Sequence, residues 1–496
     1  MRLTELASVV EGAKIVRFGR ETETEIEVQS LSADSRDVRY GDLFFCLKGG
    51  ACDGHEFAVQ AVKRGAVAIV CERELEVEVP QVIVPNARYA VSKMGSFFYG
   101  DPAKKVKVVG VTGTNGKTTT AHLIASILRA AGRKVGVIGT LGITYAKKQI
   151  APDLTTPDPL FLYSTLADMS ACGVEYAVME ISAHALHFEK DAAIVYEACV
   201  FTNLTQDHLD FFKTMDAYSA AKRKVFLSDR APLAIVNGDD SLGREIITMR
   251  AAFPFLKTVS YGMETPTDAF AVLTQEKMCS SEFMINIFDK LGSLTTTLTG
   301  RHNVYNALAA ATCAFELGVG MPAIVAGIRN VKMVKGRLER VAKYRGADVF
   351  VDFAHTPDGL EKSLTSLKEH CEGRLVCVFG CGGNRDKEKR PKMGEKAAKT
   401  ADYCVITSDN PRFEDPMDII RQIEEGFQRC SRKYVVVPDR EHAIERAILS
   451  LKKGDVLLVA GKGGETYQEI MGIKYAFNDN AIIRKIIART GESSSR

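Results

Sequence analysis

The sequence has no long apolar run, no C-x-x-C pair and no tract of like charge, and each absence narrows what the chain can be. No stretch approaches the ~18 apolar residues of a membrane span. The first residues, MRLTELASVVEGAK, carry Glu5 and Glu11 where a secretory leader needs an apolar core, so a cytoplasmic location is expected. Twelve cysteines are scattered, Cys377 and Cys381 being the tightest pair, and Cys46, Cys199, Cys377 and Cys404 lie inside apolar strand-like runs. Reduced, buried thiols follow. A formal net charge of +3 without a long Lys/Arg tract gives nucleic acid no footing.

What is present is an ordinary globular composition, 46% hydrophobic and 26% charged over 496 residues. At ~150 residues per domain this length predicts about three domains. Pattern breaks place them at 1–104, 105–333 and 334–496, with Tyr99-Gly100-Asp101-Pro102 closing the first and Gly336-Arg337-Leu338-Glu339-Arg340 opening the third. Strands at Leu43 to Leu47 and Ala66 to Val70, a helix at Glu56 to Arg64 and a polar turn at Asp34-Ser35-Arg36 set an α/β rhythm that continues to the end. That alternation predicts mostly parallel sheets covered by helices, with ligands collecting at the carboxyl ends of the strands.

The strongest chemical signal is KVVGVTGTNGKTTTAHLIASILRAAG, from Lys107 to Gly132. A β-branched run, Val106 to Val111, enters a Gly-rich turn, and a helix follows from Thr118. Backbone N-H groups and the positive end of the helix dipole converge there on an anion. Gly113 and Gly116 permit close approach, Lys117 adds a cation and the Thr118 hydroxyl suits magnesium, although Val111 occupies the first Gly position of the strict P-loop pattern. Glu180 ends the strand Tyr176 to Ile181, and His208 follows the run Ala198 to Phe201. Facing a phosphate loop, a carboxylate and an imidazole at neighbouring strand ends suit the magnesium that a nucleoside triphosphate brings.

Other features are ambiguous alone. Lys222, Arg223 and Lys224 on the helix Ala217 to Leu227 read as a solvated basic face, and Asn303 and Asn306 as two carboxamides on one face of a helix. In the third segment three polar loops follow strands: Gly380 to Asp386, Ser408 to Arg412 and Gly461 to Glu465.

Taken together and in order, DSR, GTNGKTT, TTPDP, MEISAHAL, FTNLTQDHLDFF, Y-x-x-A-K at Tyr218 to Lys222, GRHNVYN, GRLER, DFAHTPD, GNRDKEKRP, SDNPR and GKGGE resemble the Mur ligase family along the whole chain. The resemblance implies a three-domain architecture, with a central P-loop ATPase-like parallel sheet and a Rossmann-like C-terminal domain. It implies a monomeric ATP- and magnesium-dependent amide ligase of peptidoglycan precursor synthesis, and so of cell-wall growth, shape and division. The route would pass through an acyl phosphate, with small-molecule partners and neither nucleic acid nor membrane.

The family pattern carries roles to named residues. ATP would be held by Gly113, Thr114, Asn115, Gly116, Lys117, Thr118 and Thr119, with Asn303, Asn306, Arg337, Asp352 and His355. Thr118, Glu180, His208 and Lys222 would hold magnesium, Lys222 as a carbamate (N6-carboxylysine), and Lys117, Lys222, His208 and Glu180 would be catalytic. Ser35, Thr155, Thr156, Ser182 and Lys190 would bind the UDP-N-acetylmuramoyl dipeptide. Here the chain departs from many relatives, carrying Phe188 and Lys190 in place of Gln and Arg; Gly464 likewise replaces a frequent His.

Arg390, Asp409, Asn410, Pro411, Arg412, Gly461 and Glu465 would cradle the amino acid. Asp409-Asn410-Pro411-Arg412 resembles the branch adding meso-diaminopimelate, whose second carboxylate a guanidinium grips bidentately. The alternative is the L-lysine-adding branch.

Overall fold

The computed structural model describes residues 1–16, 25–50, 52–431 and 433–490. Its contacts divide into two units, Met1–Gly110 with Lys134–Cys199 and Lys224–Pro232, and Val111–Arg133 with Val200–Arg223 and Leu233–Arg496.

The first unit opens on a five-stranded sheet in the order Lys14–Val16, Gln81–Ile83, Ala68–Cys71, Asp42–Phe45, Ser30–Ser32. Only the first pairing is antiparallel. Because strand side chains alternate between faces, Leu43, Phe45, Ala68 and Val70 enter one core while Phe44, Cys46, Ile69 and Cys71 enter another. Both faces are therefore covered. The expected helix at 56–64 is a 3-10 turn, Gly54–Phe57, continued by Ala58–Lys63, because the Asp53 carboxylate captures the His55 N-H and tightens the start. Asn86 caps the helix Ala87–Phe98 through the N-H groups of Arg88 and Tyr89, and this helix packs on Pro159–Ala171. Strand Val135–Gly139 pairs in parallel with Tyr176–Glu180, then continues into the antiparallel strands Gly142–Tyr145 and Lys148–Ile150.

The second unit holds the P-loop helix, Lys117–Ala130, packed on Arg301–Glu316 and Met321–Asn330. Strand Leu233–Asn237 pairs in parallel with Lys257–Gly262, which leads into an antiparallel ladder of Ala269–Lys277, Ser280–Ile287 and Lys290–Thr296. A six-stranded sheet follows in the order Glu339–Tyr344, Ala347–Asp352, Val456–Ala460, Leu375–Phe379, Tyr403–Ile406, Tyr434–Val436. All but its first pairing are parallel. Period-two sorting recurs, with Phe350, Cys377, Phe379, Cys404 and Leu458 on one face and Val349, Val351, Val376, Val378 and Val459 on the other. All twelve cysteines are free thiols, and Cys46, Cys199, Cys377 and Cys404 are buried, as their apolar runs predict.

No helix among the described residues is long and apolar enough to cross a membrane. The P-loop helix is seated by a glycine: a Cβ on Gly327 would stand 2.3 Å from Ile127 Cα. Gly327→Ala is therefore expected to destabilise the protein by about 1–3 kcal/mol. An unchanged urea midpoint would show that these helices can separate without cost.

Candidate functional site

The strand Lys107–Thr112 ends in a turn of the second unit whose Gly113 and Gly116 have φ of 144° and 85°. These glycines also make room. A Cβ on Gly113 would lie 1.9 Å from Thr202 Oγ1, and one on Gly116 2.4 Å from Asn306 Oδ1. The turn is wired to the segment after Phe201. Thr202 Oγ1 donates to the Asn115 carbonyl (2.6 Å), the Asn115 N-H donates to Asn203 Oδ1 (3.0 Å), and the Thr205 N-H donates to Thr114 Oγ1 (3.0 Å).

Two lysines close on this turn. Lys117 Nζ donates to the carbonyls of Gly113 (2.9 Å) and Thr114 (2.8 Å), and Lys222 Nζ donates to the same Gly113 carbonyl (2.7 Å). Read alone, the 222–224 run looked like a solvated face. The structure corrects that for Lys222, which is 1% exposed and sits 4.8 Å from the Tyr218 ring centroid, whereas Arg223 is half-buried and Lys224 exposed. Burial, and next the neighbouring Lys117 charge, hold the Lys222 amine well below the usual lysine range.

The residues expected around the nucleotide divide by role. Asn306 Nδ2 donates to Asn303 Oδ1 (2.9 Å), and Thr120 Oγ1 donates to Asn306 Oδ1 (3.3 Å), so the carboxamide pair abuts the P-loop helix. Arg337 Nη2 donates to Thr118 Oγ1 (2.8 Å), and its guanidinium lies 4.4 Å over Phe353. Asp352 is placed differently, as a buried brace accepting from the N-H groups of Leu338 and Ala354 and from Ser363 Oγ. Burial raises its pKa.

Asp207 is the residue the motifs did not single out. It is 5% exposed and faces Lys389 Nζ at 3.3 Å, His208 Nε2 at 3.4 Å and His355 Nε2 at 3.5 Å. Despite the opposing effect of burial, the Lys389 charge and next the His355 hydrogen bond hold its carboxyl well below the usual range. Its adjacency to His208 in the TQDHLD stretch was the available signal. His208 itself adopts φ 57° at the start of the helix Leu209–Phe212.

The loops expected to cradle an amino acid lie at strand ends of the six-stranded sheet. Arg412 Nε donates to Glu469 Oε2 (3.1 Å) and its Nη1 to the Gly383 carbonyl (2.8 Å). Asn410 Nδ2 donates to Glu465 Oε2 (3.0 Å), and the buried Lys462 donates to both Asn410 Oδ1 and Glu465 Oε2 at 2.9 Å. Asp409 is buried beside Gly461, where a Cβ would come within 2.5 Å of its Oδ2. Arg390 is set apart from direct contact. Fully buried, it forks onto Glu414 through two 2.9 Å bonds and donates to Gln422 and the Gly382 carbonyl. The Arg390 hydrogen bonds lower the Glu414 pKa to about 2.

In the first unit, Glu180 is 1% exposed and accepts from the Thr140 N-H (2.8 Å) and hydroxyl (3.1 Å). Thr155 Oγ1 meets the same Thr140 hydroxyl, Thr156 Oγ1 donates to the Glu180 carbonyl, and the Ser182 N-H donates to Thr156 Oγ1. These four expected residues therefore form one network. Ser35 sits elsewhere, its hydroxyl 3.5 Å from Gln60 Oε1. Lys190 lines a cleft of about 630 Å³ and pairs with Asp158 at 2.7 Å.

Asp207→Asn is expected to cost about 3 kcal/mol at pH 7, because it strips the buried Lys389 of its counter-charge. A depressed carboxyl pKa stabilises the fold above its unfolded value of ~3.9 and ceases to do so as pH falls through the folded value. The gap between wild type and variant should therefore narrow below about pH 4. A gap independent of pH in urea unfolding would contradict the ionic role.

Three family descriptions match the chain: "Mur ligase family, catalytic domain" over residues 27–99, "Mur ligase middle domain" over 111–314, and "Mur ligase, glutamate ligase domain" over 336–463. A UDP-N-acetylmuramoyl-L-alanyl-D-glutamate--2,6-diaminopimelate ligase from Geobacillus thermodenitrificans is 41% identical, covering 98% of this chain and 99% of its own. A protein of the same name from Geobacillus kaustophilus is 42% identical over 94% and 96%. A solved structure, also bearing that name, superimposes with a TM-score of 0.67 at 30% identity, covering 97% of this chain and all of the other. With its P-loop, carboxamide pair and strand-end loops on one α/β scaffold, this chain belongs to the Mur ligase family.

Proposed function

We propose that the protein is an ATP-dependent acid--amino-acid ligase of peptidoglycan precursor synthesis. It joins meso-2,6-diaminopimelate to UDP-N-acetylmuramoyl-L-alanyl-D-glutamate and forms ADP. The observation that carries the reading is the turn from Gly113 to Lys117, a cradle with two lysines closed on one carbonyl. The names of the 41% and 42% identical relatives support the choice of substrates. Residues 1–104 serve the UDP-sugar substrate, 105–333 serve ATP, and 334–496 serve the incoming amino acid.

The chemistry is limited by charge, since a carboxylate must approach a polyphosphate. The D-glutamate side-chain carboxylate attacks the γ-phosphorus, the bond to ADP breaks, and an acyl phosphate forms. The amine of diaminopimelate then attacks the acyl carbon, and phosphate leaves. Lys117 and Arg337 neutralise the phosphate oxygens, while N-H groups at the start of the P-loop helix bind them without reorganising.

Magnesium, when bound, would supply further neutralisation of phosphate charge. In the second unit Thr118, His208 and Lys222 are the residues that would hold it. Thr118 offers a hydroxyl oxygen, whereas Lys222 offers the oxygen a hard cation takes only as a carbamate. Its burial and the repulsion from Lys117 suit that change. A neutral amine attacks carbon dioxide, an N-C bond forms and a proton leaves, replacing a disfavoured cation with an anion.

On the amino-acid side, Arg412 takes the distal carboxylate, with Asn410 and Glu465 beside it. Arg390 acts as a positioning residue, holding the Gly382 carbonyl and Glu414 rather than the amino acid.

Phosphate release in the presence of ATP, magnesium and the UDP-sugar dipeptide should require meso-diaminopimelate and fail with L-lysine. Release with lysine alone would overturn the assigned branch. Lys117→Ala should lower turnover by ~10²-fold or more, and a variant keeping more than roughly a tenth of the rate would refute its role. Lys222→Ala should be nearly inactive and partly restored by short carboxylates; full activity without them would remove the carbamate from the mechanism.

A further inference from the structure

The charged side chains lining the cleft of the first unit are paired, hydrogen-bonded or exposed to water, and Arg88 is distinguished by being half-buried without an ion pair among the described residues. Asp34 pairs with Arg36, Asp42 accepts from Ser30 and from the Arg39 N-H, and Lys190 pairs with the exposed Asp158. Asp37 and Arg39 face water. Arg88 lines the same cleft, is half-buried, and meets no carboxylate at ion-pair distance among the described residues. Its hydrogen bond goes instead to the Lys48 carbonyl through Nη2. Its guanidinium carbon lies 4.1 Å from the centroid of the Phe188 ring.

Burial pulls the Arg88 pKa below the ordinary arginine value, outweighing the opposing pull of the Asp158 and Glu72 carboxylates, neither of which reaches ion-pair distance. Stacking on an aromatic face orients the guanidinium and leaves its in-plane donors available to an anion. Phe188 is therefore a platform in this chain, and Lys190, neutralised by Asp158, is the weaker attraction for a negative ligand. A cleft of about 630 Å³ is large enough for one small molecule.

We propose that Arg88, stacked on Phe188, is the group that recognises an acidic moiety of the ligand in this cleft. The inference rests on the reading of the ligand as a UDP-sugar dipeptide, whose acidic groups are the diphosphate and the peptide carboxylates.

The test is calorimetric titration of the full-length protein with UDP-N-acetylmuramoyl-L-alanyl-D-glutamate and, separately, with UDP. Arg88→Ala should weaken binding of the conjugate by roughly tenfold or more, the loss of a charge-assisted contact. Arg88→Lys retains charge without the planar stack and should fall between the two. Phe188→Leu should weaken binding by about threefold with Arg88 still present. Equal losses for UDP and the conjugate place the contact on the diphosphate; a loss confined to the conjugate places it on the carboxylates. Either result supports the proposal, and melting temperatures identify any variant that fails to fold. If wild type binds while Arg88→Lys and a folded Arg88→Ala stay within about twofold of it, the assignment of Arg88 is overturned. If wild type binds neither ligand, the ligase reading falls, and the inference with it.

Discussion

Two amine groups, those of Lys117 and Lys222, reach the same carbonyl oxygen, that of Gly113. Like charges so placed repel, and burial of Lys222 removes the water that would screen them. The arrangement is stable when one amine is neutral, or when an anion joins them, and both conditions suit the phosphate site proposed here. Much of the surrounding sequence serves to hold that carbonyl in place. Thr202, Asn203 and Thr205 fasten the turn from one side, Tyr218 meets the Thr114 hydroxyl, and Asn306 fills the space that Gly116 leaves. The helix bearing Lys222 is thus positioned by the same residues that shape the cradle.

Arginines elsewhere in the molecule show how burial and pairing separate support from recognition. Arg390 and Arg440 are wholly buried, each forked onto a carboxylate, Glu414 and Asp479 respectively, and each also donating to backbone carbonyls. With both Nη groups of Arg390 and all three nitrogens of Arg440 engaged, they fix loops, and only the buried Arg390 Nε is left without a hydrogen-bond partner. Arg412 is only partly covered and keeps its Nη2 outside the bonds to Glu469 and Gly383, while Arg88 feels Asp158 and Glu72 but forms no ion pair among the described residues. A guanidinium that is shielded yet incompletely paired gains most from an incoming anion.

The α/β class, the parallel strands and the positions of the strand-end loops were legible because their causes are local. A strand buried on both faces is an apolar run, and a helix beginning at a glycine turn declares itself within a few residues. The antiparallel ladder of Ala269–Lys277, Ser280–Ile287 and Lys290–Thr296 is not legible in the sequence, because Phe270, Val272 and Met284 lie on its exposed face while Ala269, Ala271 and Ser281 are buried. Site roles followed the same division. Asn303 and Asn306 share a helix face by spacing alone, but whether Lys222 is buried depends on a turn 109 residues away. Asp207 looked like one acid among several until Lys389 and His355 were brought to it.

Glycine shows the limit of such reading most directly. Gly113, Gly116 and Gly461 all stand in motifs, and their value as turn formers is visible in the sequence. In the fold each also makes way for a named polar atom, Thr202 Oγ1, Asn306 Oδ1 and Asp409 Oδ2 in turn. The absent side chain is thus what lets these groups approach the backbone. A substitution at these glycines would displace a polar side chain as well as strain a positive φ, because all three have φ in the left-handed half of the map. At each of these positions a glycine and its polar neighbour share a space that only one of them can fill.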